Sequence, residues 1–255
     1  MIIHRAPQGT PEWHAARVGV ITASMFSTVR KKINCLTAQQ QTYVNALRSG
    51  LSEAEAMLAA GYKAKPRAEG IERALDGERV GEYSDAAKDY AFRLAIERIS
   101  GQALEEGFET WQMRRGRELE PAARRAHEAR TGLLVEEAGF ITTDDGIFGA
   151  SADGLIDNDG GAEYKCFLEP GKLRAILLTG DVSEVVDQCD GGLWISGRVW
   201  WDFGLYCPAL ESVGLDLTLH RIQRDDNRIN ALEADMWEFA QLVSEFEDQL
   251  RQKAA

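Results

Sequence analysis

The spacing of apolar positions divides the chain into a helical first half and a mixed second half. Thr10-Pro11-Glu12-Trp13 sets an N-cap hydroxyl before a proline suited to the first helical position, which predicts a helix to about Val18, before Gly19. Thr22 begins another, with Ser24 in its first turn. From residue 36 to about 75 the chain becomes Ala-rich and breaks into three short helices. The first is capped by Thr37 and ends near Gly50, the second opens on the capping box Ser52-Glu53-Ala54-Glu55 and ends at Gly61, and the third follows Lys65-Pro66-Arg67. Residues 85–100 read as an amphipathic helix with Tyr90, Leu94, Ile96 and Ile99 as its apolar positions. Residues 111–130 read as a long helix carrying Arg114, Arg115, Gly116, Arg117 and Glu120. Beyond it the period shortens to two, so 133–142, 147–150, 154–157 and 162–167 are predicted strands of a meander or hairpins. Residues 182–194 return to helix, 198–206 and 213–222 give two more strands, and 225–253 form a long acidic helix. Helices before and after a small sheet predict an α/β fold with one core, residues 1–255 as a single domain, and residues 36–80 as a helical insert within it.

Composition narrows the class. A 255-residue chain that is 44% hydrophobic and 27% charged is that of a soluble globular protein able to bury one sizeable core. No run of eighteen apolar residues occurs and the first residues lack an apolar signal core, so a cytoplasmic protein without a membrane partner is expected. The cysteines, Cys35, Cys166, Cys189 and Cys207, contain no C-x-x-C pair, which argues against a zinc ribbon, an iron–sulfur cluster or a disulfide framework. The histidines, His4, His14, His127 and His220, never fall at metal-ligand spacing and read as surface or structural residues. A net charge of −12 argues against coating nucleic acid with the whole surface. Charge is unevenly spread, however: residues 1–35 hold Arg5, Arg17, Arg30, Lys31 and Lys32 against Glu12 alone, so a local positive groove on an acidic body is allowed. The helical insert, from Leu36-Thr37-Ala38-Gln39-Gln40-Gln41 to Ala60-Gly61-Tyr62, resembles the N-terminal helix-turn-helix of phage terminase small subunits over about forty residues. DNA contact and a packing or oligomer-contact role both remain open for it.

The chemistry concentrates in one stretch. Asp153 is followed after nine residues by Glu163-Tyr164-Lys165, the spacing of a magnesium-dependent nuclease. Mg²⁺ takes oxygen ligands and keeps several waters, so one or two carboxylates with a substrate phosphate suffice to hold it. If 163–165 is a strand, Glu163 and Lys165 share a face, and the Asp157-Asn158-Asp159-Gly160-Gly161 turn returns Asp153 beside them. The same pattern equally describes an exposed hairpin with a surface ion pair, and the flanking sequence must decide. Backbone N–H groups and the Ser24 hydroxyl at a helix start, near Arg17, suggest an anion cradle, against the alternative of ordinary capping.

Four segments in order resemble the phage lambda-type exonucleases, or YqaJ-type viral recombinases, of the PD-(D/E)xK nuclease superfamily. They are Glu12 through Ser24, Arg115-Gly116-Arg117-Glu118-Leu119-Glu120, Asp153 through Lys165, and Gln188 to Trp194 followed by Trp200-Trp201-Asp202-Phe203. The resemblance implies a restriction-endonuclease-like core, a central mixed β-sheet flanked by helices. It also implies roles: Asp153, Glu163 and Glu120 as metal-binding acids, with the Tyr164 backbone carbonyl reaching the same ion. Lys165 matches the lysine that orients the attacking water, Gln188 a glutamine near the metal, and Arg17 with Ser24 a pocket for a terminal 5′-phosphate. A planar arginine suits such a phosphate because it donates two parallel bonds.

The activity that the resemblance implies is that of a Mg²⁺-dependent enzyme, with Mn²⁺ as a substitute, that degrades one strand of duplex DNA from the 5′ end. It would leave 3′ single strands for phage-type recombination. Double-stranded DNA ends, a single-strand annealing protein and further copies of the chain in a trimeric ring are the implied partners, and a phage or prophage protein in a bacterial cytoplasm is the implied setting. The alternatives are a PD-(D/E)xK endonuclease and a DNA-binding module with a vestigial core. The family usually has Cys-Pro after the lysine, whereas Cys166-Phe167 stands here and proline comes only at Pro170; the insert is also longer than in compact members.

Overall fold

The computed structural model describes residues 1–104 and 110–254. In chain order these form β1 (Ile2–His4), α1 (Pro11–Ala16), β2 (Ile21–Thr22), a 3-10 turn (Ala23–Met25), α2 (Phe26–Arg30), β3 (Lys32–Ile33), α3 (Ala38–Arg48), α4 (Glu53–Ala60), α5 (Glu69–Leu75), β4 (Glu82–Tyr83), α6 (Asp85–Ser100) and α7 (Trp111–Thr131). Next come β5 (Phe140–Thr142), β6 (Phe148–Ser151), β7 (Gly154–Ile156), β8 (Gly160–Lys165), α8 (Pro170–Thr179), α9 (Ser183–Ser196), β9 (Trp200–Tyr206), a 3-10 segment (Pro208–Val213), β10 (Leu217–Gln223) and α10 (Asp226–Ala254). The chain divides into two compact units, Met1–Thr28 with Asp89–Ala255, and Val29–Lys88.

The smaller unit is built on its caps. Thr37 accepts the Gln40 N–H while the Gln40 side chain accepts the Thr37 N–H, and Ser52 and Glu55 repeat the exchange, so α3 and α4 each start with orphan donors satisfied. Gly61, left-handed at φ 72°, ends α4. Tyr43, Val44, Ala56 and Ile71 form the core, with Leu36 and Val80 packed against it. The short antiparallel β3–β4 pair also belongs to this unit.

The larger unit carries two mixed four-stranded sheets, in the orders β1-β5-β6-β2 and β10-β9-β8-β7. In the second, the β7–β8 hairpin is antiparallel, β8 and β9 are parallel, and β9–β10 is antiparallel. A parallel pair needs a long crossover, which α8 and α9 provide. Alternation along β9 sends Trp201, Phe203 and Leu205 into a core with Ile176, Val185, Cys189 and Leu193 of α8 and α9. On the opposite face Ala162 and Tyr164 of β8 pack with Ala123 of α7. The Trp201 indole sits between two glycines, where a Cβ on Gly161 would come within 2.3 Å of it and one on Gly192 within 2.7 Å. That slot lets α9 lie close to β8 and β9.

Several predicted elements shift. The strand expected over 133–142 is confined to Phe140–Thr142, with Glu136 making only an isolated bridge to Leu155. Thr22 ends a two-residue strand, Ile21 and Thr22 pairing in parallel with Phe148 and Gly149, and it also opens the helical segment as expected, as N-cap of the 3-10 turn that runs into α2. β1 and α8 are additional. Glu169-Pro170-Gly171 has the composition of a turn, but Pro170 occupies the first helical position. On α6, Tyr90 and Leu94 are buried as expected, whereas Ile99 is exposed and Glu97 is buried. Glu97 takes the inward place because its carboxylate accepts the Gly19 N–H at 2.9 Å.

Candidate active site

Glu163 and Lys165 lie two residues apart on β8 and share a face, and Lys165 Nζ donates to Glu163 Oε1 at 2.7 Å. The β7–β8 turn is closed by Asp157 in the left-handed region at φ 47°, a conformation aspartate tolerates better than most side chains. It brings Asp153 back beside the strand: the Tyr164 N–H donates to Asp153 Oδ2 at 2.6 Å, and the Asp153 N–H to the Ala162 carbonyl at 3.1 Å. Glu120 comes from α7 and is half-buried. One turn further along the helix, Arg124 donates to Glu120 Oε1 at 2.7 Å, to the Asp153 carbonyl at 3.0 Å and to Glu137 at 3.4 Å. Arg124 thus ties the helical acid to the hairpin.

Two of these acids, Asp153 and Glu120, are raised by their surroundings. Burial, then the charges of Glu163 and Glu120, push the Asp153 carboxyl well above the usual carboxylate range. Burial also raises Glu120; Arg124 works against this, and the charges of Glu137 and Glu163 add to it. For Lys165 burial acts to lower the ammonium, but Glu163 and Asp153 outweigh it, so the group is held charged.

Among the described residues no three His, Cys, Asp or Glu side chains stand ready around one point for a metal ion. The acids are already engaged, Glu163 by Lys165, Glu120 by Arg124, and Asp153 by the Tyr164 N–H. In kind, however, the donors fit a hard divalent cation: Asp153, Glu163, Glu120 and the Tyr164 carbonyl are all oxygen, and the carboxylates repel one another. The nearby thiols do not compete, since burial pushes Cys166 up to about 11 and Cys189 well above its ordinary value.

Gln188 is half-buried on α9, one residue before Cys189, whose thiol lies in the field of Glu163 and Lys165. Arg17 follows α1 and stacks over Trp13 at 4.2 Å and Phe140 at 5.1 Å. Burial draws its guanidinium down to about 10; the nearby charge of Tyr90 opposes that and the like charge of Arg93 adds to it. Its Nη1 donates to Ser151 Oγ at 2.8 Å. The Arg17 side chain therefore bonds Ser151, two residues before Asp153, and not Ser24. Ser24 is exposed in the 3-10 turn, its hydroxyl 3.3 Å from Thr22 Oγ1. Sequence reasoning misses Arg124 and Ser151 although both lie within its reach: Arg124 stands four residues after Glu120, one helical turn, and Ser151 two before Asp153 on a strand.

Mixed sheets flanked by helices define a class of fold, the PD-(D/E)xK nuclease core. The chain belongs to the YqaJ-like viral recombinase domain family, whose sequence profile matches residues 12–199. It is similar in structure to an alkaline exonuclease (LHK-Exo) from Laribacter hongkongensis, with 27% identity, a TM-score of 0.67, and coverage of 96% of this chain and 98% of that one. The dAMP complex of the same protein gives a TM-score of 0.69 at the same identity and coverage. A phage related exonuclease from Haemophilus somnus 129PT, 15% identical, shares the fold at a TM-score of 0.53 over 90% of this chain and all of that one. Curated proteins give no match.

Proposed function

We infer that this chain is a DNA exonuclease that degrades one strand of duplex DNA in the 5′ to 3′ direction and leaves 3′ single strands for recombination. Family membership and the exonuclease neighbours support the activity; the polarity rests on Arg17. A desolvated guanidinium bonded to Ser151 stands at the end of the same β6–β7 segment that carries Asp153, so an end phosphate held there lies a fixed few residues from the acids. Such a cation binds an anion more strongly than an exposed one because water competes less.

In this reading Asp153, Glu163, Glu120 and the Tyr164 carbonyl hold Mg²⁺, or Mn²⁺ in its place. A bound ion supplies charge opposite the scissile phosphate and a more acidic water. Lys165 places a second positive charge beside Glu163, where it orients a water and meets the charge that develops on the phosphate. Gln188 on α9 serves the same site, and Ser24 marks the outer rim of the phosphate pocket. The product calls for a single-strand annealing protein in the bacterial cytoplasm, and a trimeric ring is the assembly expected for threading duplex; no helix among the described residues is long and apolar enough to cross a membrane.

The decisive assay compares linear duplexes bearing 5′-phosphate and 5′-hydroxyl ends, with a covalently closed circle, for wild type and Arg17→Ala. Wild type is expected to digest the phosphorylated end about 10–100-fold faster, with Arg17→Ala abolishing the preference, as loss of a charge-assisted pair worth roughly 1.5–3 kcal/mol implies. Equal rates on both ends refute the pocket, and cutting of the closed circle makes the enzyme an endonuclease.

A further inference from the structure

Behind the acids, on the α7 side of β8, lies a buried polar chain. The Tyr164 hydroxyl meets His127 Nδ1 at 2.8 Å. His127 Nε2 lies 3.2 Å from Asp202 Oδ2, close but off the straight line of a hydrogen bond. Asp202 in turn takes both arms of Arg221, at 2.8 and 2.7 Å, and Arg221 lies 3.7 Å over the Trp200 ring. His127 is wholly buried, Asp202 is 2% exposed and Tyr164 6%. With the ring proton on Nε2, His127 accepts from Tyr164 and points its N–H at Asp202, so one side chain of α7 engages both β8 and β9.

We propose that His127 is a positioning residue that sets the helical acid, Glu120, against the hairpin acids. This rests on the active-site reading above. Two observations carry it. His127 follows Glu120 by seven residues on the same helical stripe, about 10 Å along the axis, so where His127 is pinned fixes where Glu120 stands. The residue it pins, Tyr164, is also the one whose backbone N–H holds Asp153 and whose chain neighbours are Glu163 and Lys165. Tyr164 is fixed on the α7 side of the sheet by its hydroxyl, while its backbone N–H, in the plane of the sheet, holds Asp153. A buried polar chain costs desolvation, and apolar side chains would fill the same volume more cheaply, so its presence here is explained by the geometry it fixes.

The two imidazole nitrogens separate the arms. Asparagine ends at the level of Nδ1 and keeps a partner for Tyr164; glutamine reaches the level of Nε2 and keeps one for Asp202. Steady-state digestion of 5′-phosphorylated duplex, thermal denaturation, and Mn²⁺ affinity by electron paramagnetic resonance on DNA-free protein are measured for Tyr164→Phe, His127→Asn, His127→Gln and His127→Phe. The expectation is about a tenfold lower kcat for Tyr164→Phe and roughly 10–100-fold for His127→Phe, with KM for DNA within about twofold. His127→Asn retains more kcat than His127→Gln whatever the order of their Tm values, and weakened Mn²⁺ binding follows the order of kcat. Unchanged kcat in Tyr164→Phe, or losses that follow Tm alone, overturn the inference. Asp153→Asn run alongside distinguishes the two readings: full activity there removes the active-site assignment, whereas an inactive Asp153→Asn beside an undiminished Tyr164→Phe removes only the role of His127.

Discussion

Asp153 is a carboxyl placed where charge is costly, and the cost has a measurable sign. Its folded carboxyl is raised by burial and by Glu163 and Glu120, so it destabilises the metal-free fold once pH exceeds the usual carboxylate range, fully so above its folded value. Asp153→Asn should therefore abolish digestion, by about 10³-fold or more, and yet raise the metal-free Tm at neutral pH by about 2–4 °C. That is the shift roughly 1 kcal/mol produces in a chain of this size. The gain should shrink on acidification, and a denaturation series in pH reads it. Asp202 has the opposite sign: burial raises it, but the two bonds from Arg221 and the close approach of His127 hold it below its ordinary value. Its contribution is present above the unfolded pKa and is lost as pH falls through the lower folded one, so Asp202→Asn should flatten the acid limb of the same series. Asp153, Glu163 and Lys165 stand out in sequence because their spacing is local, although that spacing alone fits an exposed hairpin equally well, and Glu120 is reached only through the family resemblance. The Tyr164–His127–Asp202–Arg221 chain is not legible there, because its members come from one helix and three strands far apart in the chain, and a lone histidine carries no spacing signal.

At the level of elements, caps and periods serve well where structure is local. Thr37, Ser52 and Gly61 mark the helix ends expected of them, and removing the Ser52 hydroxyl by Ser52→Ala should cost about 1 kcal/mol, read as a lower midpoint of the transition of the Val29–Lys88 unit in urea. Elements that escape a sequence reading are those decided by distant partners. The two residues of β2 are a strand only because Phe148 and Gly149 lie beside them, and most of 133–142 has no ladder to join. Gly160-Gly161 read as turn residues, yet both belong to β8, where they make room for Trp200 and Trp201. Gly161→Ala, with its Cβ forced against the Trp201 indole and Gly192 behind it, should cost about 1–3 kcal/mol and lower the Tm accordingly.

The whole molecule is acidic, with 41 Asp and Glu against 29 Lys and Arg, so divalent ions will gather on it without any site. A site is told apart by saturation. Mg²⁺ at a hundredfold its Kd should add about 2.7 kcal/mol to the stability of wild type and much less to Asp153→Asn or Glu120→Gln, while NaCl at matched ionic strength should not reproduce the difference; differential scanning calorimetry measures it. The parallel pairing of β8 with β9 has a last consequence, in time. Its two strands are separated in sequence by the whole of α8 and α9, so the pair closes a long loop and belongs among the slow contacts of folding. Asp153, Glu163 and Lys165 are local and can meet in an isolated hairpin, but the helix bearing Gln188 and the strand bearing Asp202 take their places beside them only when that loop closes. On the proposed assignment, a chain still emerging from the ribosome is expected to carry the acids of the site without their supporting frame, and to gain the ability to cut DNA late, with the completed fold.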